Sequence, residues 1–335
     1  MEDYRKIFAR SVAAALGLLM LTALPAFAAW TPEKHIEIII GSGAGGGNDR
    51  AGRTVDKLLH DLKLVDVTSS VLNKPGGGGF IGWAYLNQQA GDGNYISTST
   101  PNLLTTHIVG RSQFTYSGVT PIAQLYSESG VFVVSADSKI KNAKSLVERI
   151  KNDPESFSTT IGTSAGNHNH IALGMLVRAA GGNPAKLKVV VFKSSSEATT
   201  AVLGGHVDLA IVAASSRRKL VESGKMRALA VASPQRLSGP YATVPTWKEL
   251  GVDVVSAFWV GIMGPRGLSR AQIDFWDQTF ATLARSKEWK SYLDRFSLED
   301  TYEGAKGSSE FLEKQYKEYK EVLTDLGLAK AAGSK

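Results

Sequence analysis

The sequence predicts an α/β fold. Short β-branched apolar runs closed by glycine alternate with segments whose apolar residues recur at helical spacing, as expected of strands buried by crossover helices. The chain is 335 residues long, 43% hydrophobic and free of cysteine. Its stability must therefore come from apolar cores without disulfides, which a chain of this size can build. That length suits about two domains of ordinary size.

The elements follow in order. Ile36–Ile40 reads as the first strand, and Ala51, Val55, Leu58, Leu59 and Leu62 recur as one face of a helix. Residues 65–72 read as a second strand, ending in the turn Asn73-Lys74-Pro75-Gly76-Gly77-Gly78-Gly79 that opens a helix near Ile81. Tyr95–Ser99 is a strand after the Gly91-Asp92-Gly93-Asn94 turn. Further strands are predicted at 131–135, 159–162, 189–192, 209–212 and 228–232. Helices are predicted at 143–150 and through Ile171, Leu173, Met175, Leu176 and Ala179. About the last 65 residues read as mostly helical, with Phe311, Leu312, Tyr316, Tyr319, Val322, Leu323 and Leu326 on one face.

The N-terminus addresses the compartment. Arg5, Lys6 and Arg10 precede an apolar stretch at 11–24, and Ala26-Phe27-Ala28 offers a small-x-small cleavage site. This pattern predicts a signal peptide over 1–28, cleaved near Ala28, and export to the periplasm. The apolar stretch is roughly 14 residues, short for a span of about 20. Without cysteine no thiol-linked lipid anchor can form. The net charge of +7 is spread along the chain. Its densest spots, Lys186 with Lys188 and Lys193 and then Arg217-Arg218-Lys219, are not interleaved with aromatic residues, so a nucleic-acid surface is not expected.

The glycine loop Gly41-Ser42-Gly43-Ala44-Gly45-Gly46-Gly47-Asn48-Asp49 stands between a strand and a helix. Bare N–H groups at a helix start favour an anion. The loop fits Gly-x-Gly-x-x-Gly, but the acidic residue that a dinucleotide site needs at the end of the second strand is Asn73. No Gly-Lys-Ser/Thr follows, which excludes a P-loop. A second loop, Gly162-Thr163-Ser164-Ala165-Gly166-Asn167, repeats the strand–loop–helix order and also fits a nucleophile elbow. A hydrolase using Ser164 would need an acid and then a histidine downstream, yet the last histidine is His206 and only Glu197 intervenes. His168 and His170 are two apart and do not share a helical face, so no metal site is expected and no cofactor is required. Asp49 at the first helix start reads as a cap, and His170 as a cap or ligand contact. Two such loops facing each other would form one anion site.

The chain resembles the periplasmic solute-binding proteins of tripartite tricarboxylate transporters, the Bug family. The motifs include Ala44-Gly45-Gly46-Gly47-Asn48-Asp49, where the family has AGGGTD, and Asn73-Lys74-Pro75-Gly76-Gly77-Gly78-Gly79-Phe80-Ile81-Gly82, where it has NRPGAGGNIG. Asp92-Gly93, Gly166-Asn167 with His170, Leu203-Gly204-Gly205-His206-Val207-Asp208, and Gly224-Lys225-Met226-Arg227-Ala228-Leu229-Ala230-Val231 continue in order. Val244-Pro245-Thr246, Gly251, Trp259, Gly261 and Gly264-Pro265-Arg266-Gly267 complete the match.

The resemblance implies a two-domain, type II periplasmic-binding-protein fold, a Venus flytrap with its ligand cleft between the domains. Domain I would comprise 29–130 together with 257–335, domain II would be 131–256, and crossover strands near Val131 and Trp259 would form the hinge. It also implies a non-enzymatic, monomeric receptor that presents a small organic carboxylate to membrane permease subunits; a sensor serving a membrane kinase is the alternative partner. One carboxylate would meet the N–H groups of Gly45, Gly46 and Asn48, clamped by Ser164, Gly166 and Asn167. Thr100 would offer a hydroxyl, and Asp208 would bind a hydroxyl, an amino group or an ordered water. Departures from the family pattern fall at Gly41-Ser42-Gly43 (family PFPAGG), Phe80 (Asn), Phe192-Lys193-Ser194 (Tyr-Lys-Gly) and Gly174 (Glu). Ser42 and Phe80 then point to a larger or aromatic carboxylate.

Overall fold

The computed structural model describes residues 30–161, 165–192 and 195–330. The predicted signal peptide, Ser164, Lys193 and Ser194 lie outside them. By contacts, Pro32–Lys335 form one unit.

Strand β1 (Ile36–Ile40) buries every residue but Glu37. It pairs in parallel with β2 (Ser69–Asn73) on one side and β3 (Tyr95–Ser99) on the other. The crossovers carry helices α1 (Gly47–Asp61) and α2 (Phe80–Gln88), as parallel pairing requires. Beyond β3 the sheet turns antiparallel: β3 pairs with β9 (Ala257–Gly264), and β9 with β4 (Thr120–Ser135).

Strand β4 runs for 16 residues and joins two sheets. Up to Ser129 it pairs with β9, and with β10 (Glu299–Glu303) on its other edge. From Gly130 onward it pairs with β7 (Leu209–Ala213) and β8 (Met226–Val231). Strand β7 continues in parallel to β5 (Ser158–Thr160), and β5 to β6 (Lys188–Val190). The apolar run 131–134 is buried on both faces. Val131 and Val133 join a core with Val202, Val207 and Tyr241. Phe132 and Val134 join another with Leu146, Leu173 and Trp247, where the Phe132 and Trp247 rings meet edge to face at 5.1 Å.

Helices α3 (Asn102–Ile108), α4 (Ala143–Asn152), α5 (His168–Ala179), α6 (Ser195–Leu203) and α7 (Arg218–Glu222) precede three C-terminal helices: α8 (Arg270–Arg285), α9 (Lys287–Phe296) and α10 (Ala305–Asp325). Helix α10 sends Leu312, Tyr319, Val322 and Leu323 into the core that holds Ile39, Trp83 and Trp259. Ile171 of α5 enters the same core, so α10 touches both sheets' helices. Gly174 permits this contact: a Cβ there would lie 3.0 Å from Leu326 Cδ1 and Val322 Cγ1.

Three expectations shift. Strand β2 starts at Ser69 rather than 65, because the chain first turns through Lys63 at φ 53°. The first half of β4 escapes the sequence reading because it buries Gln124, Ser127, Glu128 and Ser129 among its apolar residues. Strand β10 interrupts the helical C-terminus as a charged edge strand that, among the described residues, pairs only with β4, a composition that protects an edge.

Candidate ligand-binding cleft

A cavity of about 430 Å³ opens between the two sheets. Gly77, Gly78 and the polar residues Asn102, Thr105 and Thr106 of α3 line it from the first sheet, continued by Val109 and Arg111. Ala165, Gly166, Asn167 and His168, after β5, line it from the second, and Phe258 of β9 stands at the junction. Its described lining contains one arginine and no carboxylate.

The second glycine turn, not the first, lines this cavity. Gly76, Gly77, Gly78 and Gly79 have φ of 127°, 57°, 71° and 111°, values that only glycine adopts without strain. A Cβ on Gly78 would lie 2.7 Å from Thr106 Cγ2, and one on Gly79 2.7 Å from the Trp83 ring. The first loop braces the turn from behind: a Cβ on Gly41 would meet Gly79 Cα at 2.8 Å. Among the described residues, no acceptor engages the Gly77 and Gly78 N–H groups. They remain available to a ligand, as in backbone anion sites generally.

Asp49 organises the first loop. Its carboxylate is 3% exposed. It accepts the Gly45 N–H at 2.8 Å, Arg53 Nε at 3.1 Å and Asn73 Nδ2 at 2.8 Å. Burial opposes its charge, but the hydrogen bonds from Arg53, Gly45 and Asn73 outweigh it and hold the pKa below the usual aspartate value. Gly45 therefore gives its N–H to Asp49 rather than facing a ligand, contrary to the sequence expectation. Gly46 is the N-cap of α1. Asn48 Nδ2 donates to Ser42 Oγ at 3.4 Å, and the Ser42 carbonyl accepts Asn73 Nδ2 at 3.0 Å. These residues shape the loop and do not line the cavity.

Across the cleft, Gly166 and Asn167 do line the cavity, but their polar groups hold the loop. Gly166, at φ 77°, donates its N–H to His170 Nδ1 at 3.1 Å. Asn167 caps α5 by accepting the His170 N–H at 3.0 Å, and donates Nδ2 to the Ile161 carbonyl at 2.9 Å. His170 is buried and must be neutral at Nδ1 to accept; burial pushes its pKa down to about 4. His168 is shifted down to about 4 by the same cause, and its ring lies 4.9 Å from Phe258.

The remaining predicted residues fall elsewhere. Thr100 is buried before α3, its carbonyl accepting the Leu103 N–H. Phe80 meets Phe114 edge-on at 5.4 Å, outside the cavity lining. Asp208 is removed from the cleft: it accepts the Ser158 N–H at 2.8 Å at the start of β5, whereas the cleft loop follows the strand's end. It borders a separate depression with Ser135 and Gly205. The sequence reading missed Asn102, Thr105, Thr106, Arg111, His168 as a lining residue, and Phe258. The one signal was the polar triplet Thr105-Thr106-His107 between the apolar pairs Leu103-Leu104 and Ile108-Val109.

Two sheets joined through a shared long strand, with a polar cavity between them, define a periplasmic-binding-protein fold. The chain belongs to the family described as the tripartite tricarboxylate transporter family receptor, whose model matches residues 62–328. A UPF0065 protein in the gbd 5′ region of Cupriavidus necator is 28% identical over 332 residues, 98% of this chain and 99% of its own. Protein BugT of Bordetella pertussis is 26% identical over 262 residues, 76% of this chain and 78% of its own. A solved TctC solute-binding protein from Polaromonas superposes with a TM-score of 0.75 at 26% identity, covering 88% of this chain and 99% of that one. An R. palustris protein with adipate (TM-score 0.74, 20% identity, 89% and 99% coverage) and MatC from Rhodopseudomonas palustris with bound malate (0.68, 16%, 87% and 99%) share the fold. The family is one of receptors and the Polaromonas neighbour is a solute-binding protein, neither of them an enzyme class, which removes the hydrolase reading of Ser164.

Proposed function

We propose that the protein is an exported periplasmic receptor that captures a small organic carboxylate in the cleft and delivers it to the membrane subunits of a tripartite transporter. The observation that carries this reading is the lining itself: amides of Gly77 and Gly78, the polar side chains of Asn102, Thr105 and Thr106, one cation at Arg111 and no carboxylate among the described residues. Donors of this kind complement an anion without a metal or cofactor. The family supports the transporter as partner, and the fold neighbours solved with adipate and malate support the ligand class. Closure would move 29–130 with 257–335 against 131–256 about the paired crossings at Gly130 and Ser256, where Gly130 N–H donates to the Ser256 carbonyl at 3.4 Å. The signal-like segment supports export, with cleavage near Ala28. Calorimetry against di- and tricarboxylates, aromatic acids and sugars tests the reading. Binding of neutral sugars with no response to any carboxylate would sink it.

A further inference from the structure

Strand β9 alternates its side chains between two faces. Val260 and Ile262 are buried on the face that Phe258 shares. Phe258 is the member of that row that reaches the cavity, where it is half-buried. Its ring lies 4.9 Å from the His168 ring, with 57° between the planes. His168 opens α5 on the other side of the cleft and lines the same cavity. Val109 joins this apolar end: a Cβ on Gly166 would lie 2.9 Å from Val109 Cγ1, and both residues line the cavity with Ala165.

Polar groups gather at the other end. A Cβ on Gly78 would lie 2.7 Å from Thr106 Cγ2 and 3.8 Å from Asn102 Nδ2, so the glycine turn and the start of α3 meet there. Asn102 opens α3 and Val109 is its C-cap, which sets them about 10 Å apart along the axis at about 1.5 Å per residue. Arg111 adds positive charge to the lining, and no carboxylate among the described lining residues opposes it. Burial holds the His168 pKa down at about 4, so that ring is uncharged at neutral pH and adds no second cation. A hydroxylated or charged ligand body set against Phe258, Val109 and Ala165 would lose its water without regaining hydrogen bonds. A flat aromatic body has no such loss and gains ring packing, offset or edge to face.

We propose that the cleft selects aryl carboxylates: the carboxylate meets Gly77, Gly78 and Asn102, and the aromatic ring packs on Phe258 beside His168. The proposal rests on the carboxylate reading of the cleft and names its ligand class. Phe258 is the discriminating residue. Phe80, packed on Phe114 outside the cavity lining, takes no part.

The test is calorimetry on the full chain with pairs matched in charge and carbon skeleton, one ring aromatic and the other saturated. Benzoate is paired with cyclohexanecarboxylate, phenylacetate with cyclohexylacetate, and terephthalate with trans-cyclohexane-1,4-dicarboxylate; adipate and malate complete the panel. Wild type should bind the aromatic member of at least one pair about three- to tenfold more tightly. Phe258→Leu, which keeps an apolar side chain but removes the ring, should bring that ratio to about one. A general loosening of the cleft would weaken both members alike, so an unchanged ratio in a folded Phe258→Leu overturns the proposal. Equal or tighter binding of the saturated members to wild type overturns it too, as does binding of adipate or malate with no response to any aryl acid; both leave the carboxylate reading intact. If Phe258→Leu does not fold, the wild-type ratios decide alone. If no carboxylate in the panel binds, the carboxylate reading falls and the proposal with it.

Discussion

Replacing Asp49 tests whether the first glycine loop is a brace. Its two carboxylate oxygens receive three donors: the Gly45 N–H, Arg53 Nε and Asn73 Nδ2. Asp49→Asn keeps the shape but turns one acceptor oxygen into an NH₂ group facing donors. Charge-assisted bonds are worth about 1.5–3 kcal/mol each. Arg53 is half exposed and Gly45 is open to water, so both are rehydrated, and Asn73 Nδ2 keeps the Ser42 carbonyl. The net loss should be about 2–3 kcal/mol, or about 3–5 °C in Tm for a chain of this size. The sign with pH follows from the lowered pKa. The carboxylate contributes stability above the unfolded aspartate value of 3.8 and loses it as pH falls through the lower folded value. Urea unfolding of both proteins should therefore show a constant gap between about pH 5 and 8 that narrows below about pH 4. A variant within about 0.5 kcal/mol of wild type at pH 7, or a gap undiminished at about pH 3, would refute the reasoning.

Other substitutions probe the cleft and the helix contact. His170 is neutral in the folded chain down to about pH 4 but titrates near 6.5 when unfolded. Stability should fall on acidification across that window, and His170→Gln should flatten the slope in urea melts. A folded-state NMR titration of His170 near 6.5 would contradict this. Gly78→Ala must hold φ 71° with a Cβ 2.7 Å from Thr106. It should cost about 2–4 kcal/mol by thermal melt and weaken ligand binding. Gly174→Leu drives a side chain into Val322 and Leu326. It should destabilise by about 1–3 kcal/mol, and an unchanged melt would show that α5 and α10 separate freely.

Much of the fold was legible because its signals are local. Strand β1 is an unbroken β-branched run apart from Glu37, and α1 repeats its apolar residues at helical spacing from Ala51 to Leu59. Asn142, Asn167 and Ser269 cap their helices by bonds within three residues. The boundary of β2 was less legible, because Val65 is buried from a loop rather than from a strand. The first half of β4 was hidden because a strand shared by two sheets can bury Gln124 and Glu128 when its own backbone and a nearby turn satisfy them, which composition does not report.

The sequence by itself determined the α/β class, the two strand–glycine–helix loops and the family, all properties of residues close together in the chain. Tertiary structure alone decided which groups meet the cavity. It spent the Gly45 amide on Asp49 and the Gly166 amide on His170, brought Gly77, Gly78, Thr105 and Thr106 forward instead, and set Asp208 at the far end of β5. It also placed Glu128 opposite Phe258 and against Ser215. The physical reason is register: a side chain's face is fixed by its neighbour on the adjoining strand, and a slip of one residue in the pairing would move each β4 side chain to the opposite face.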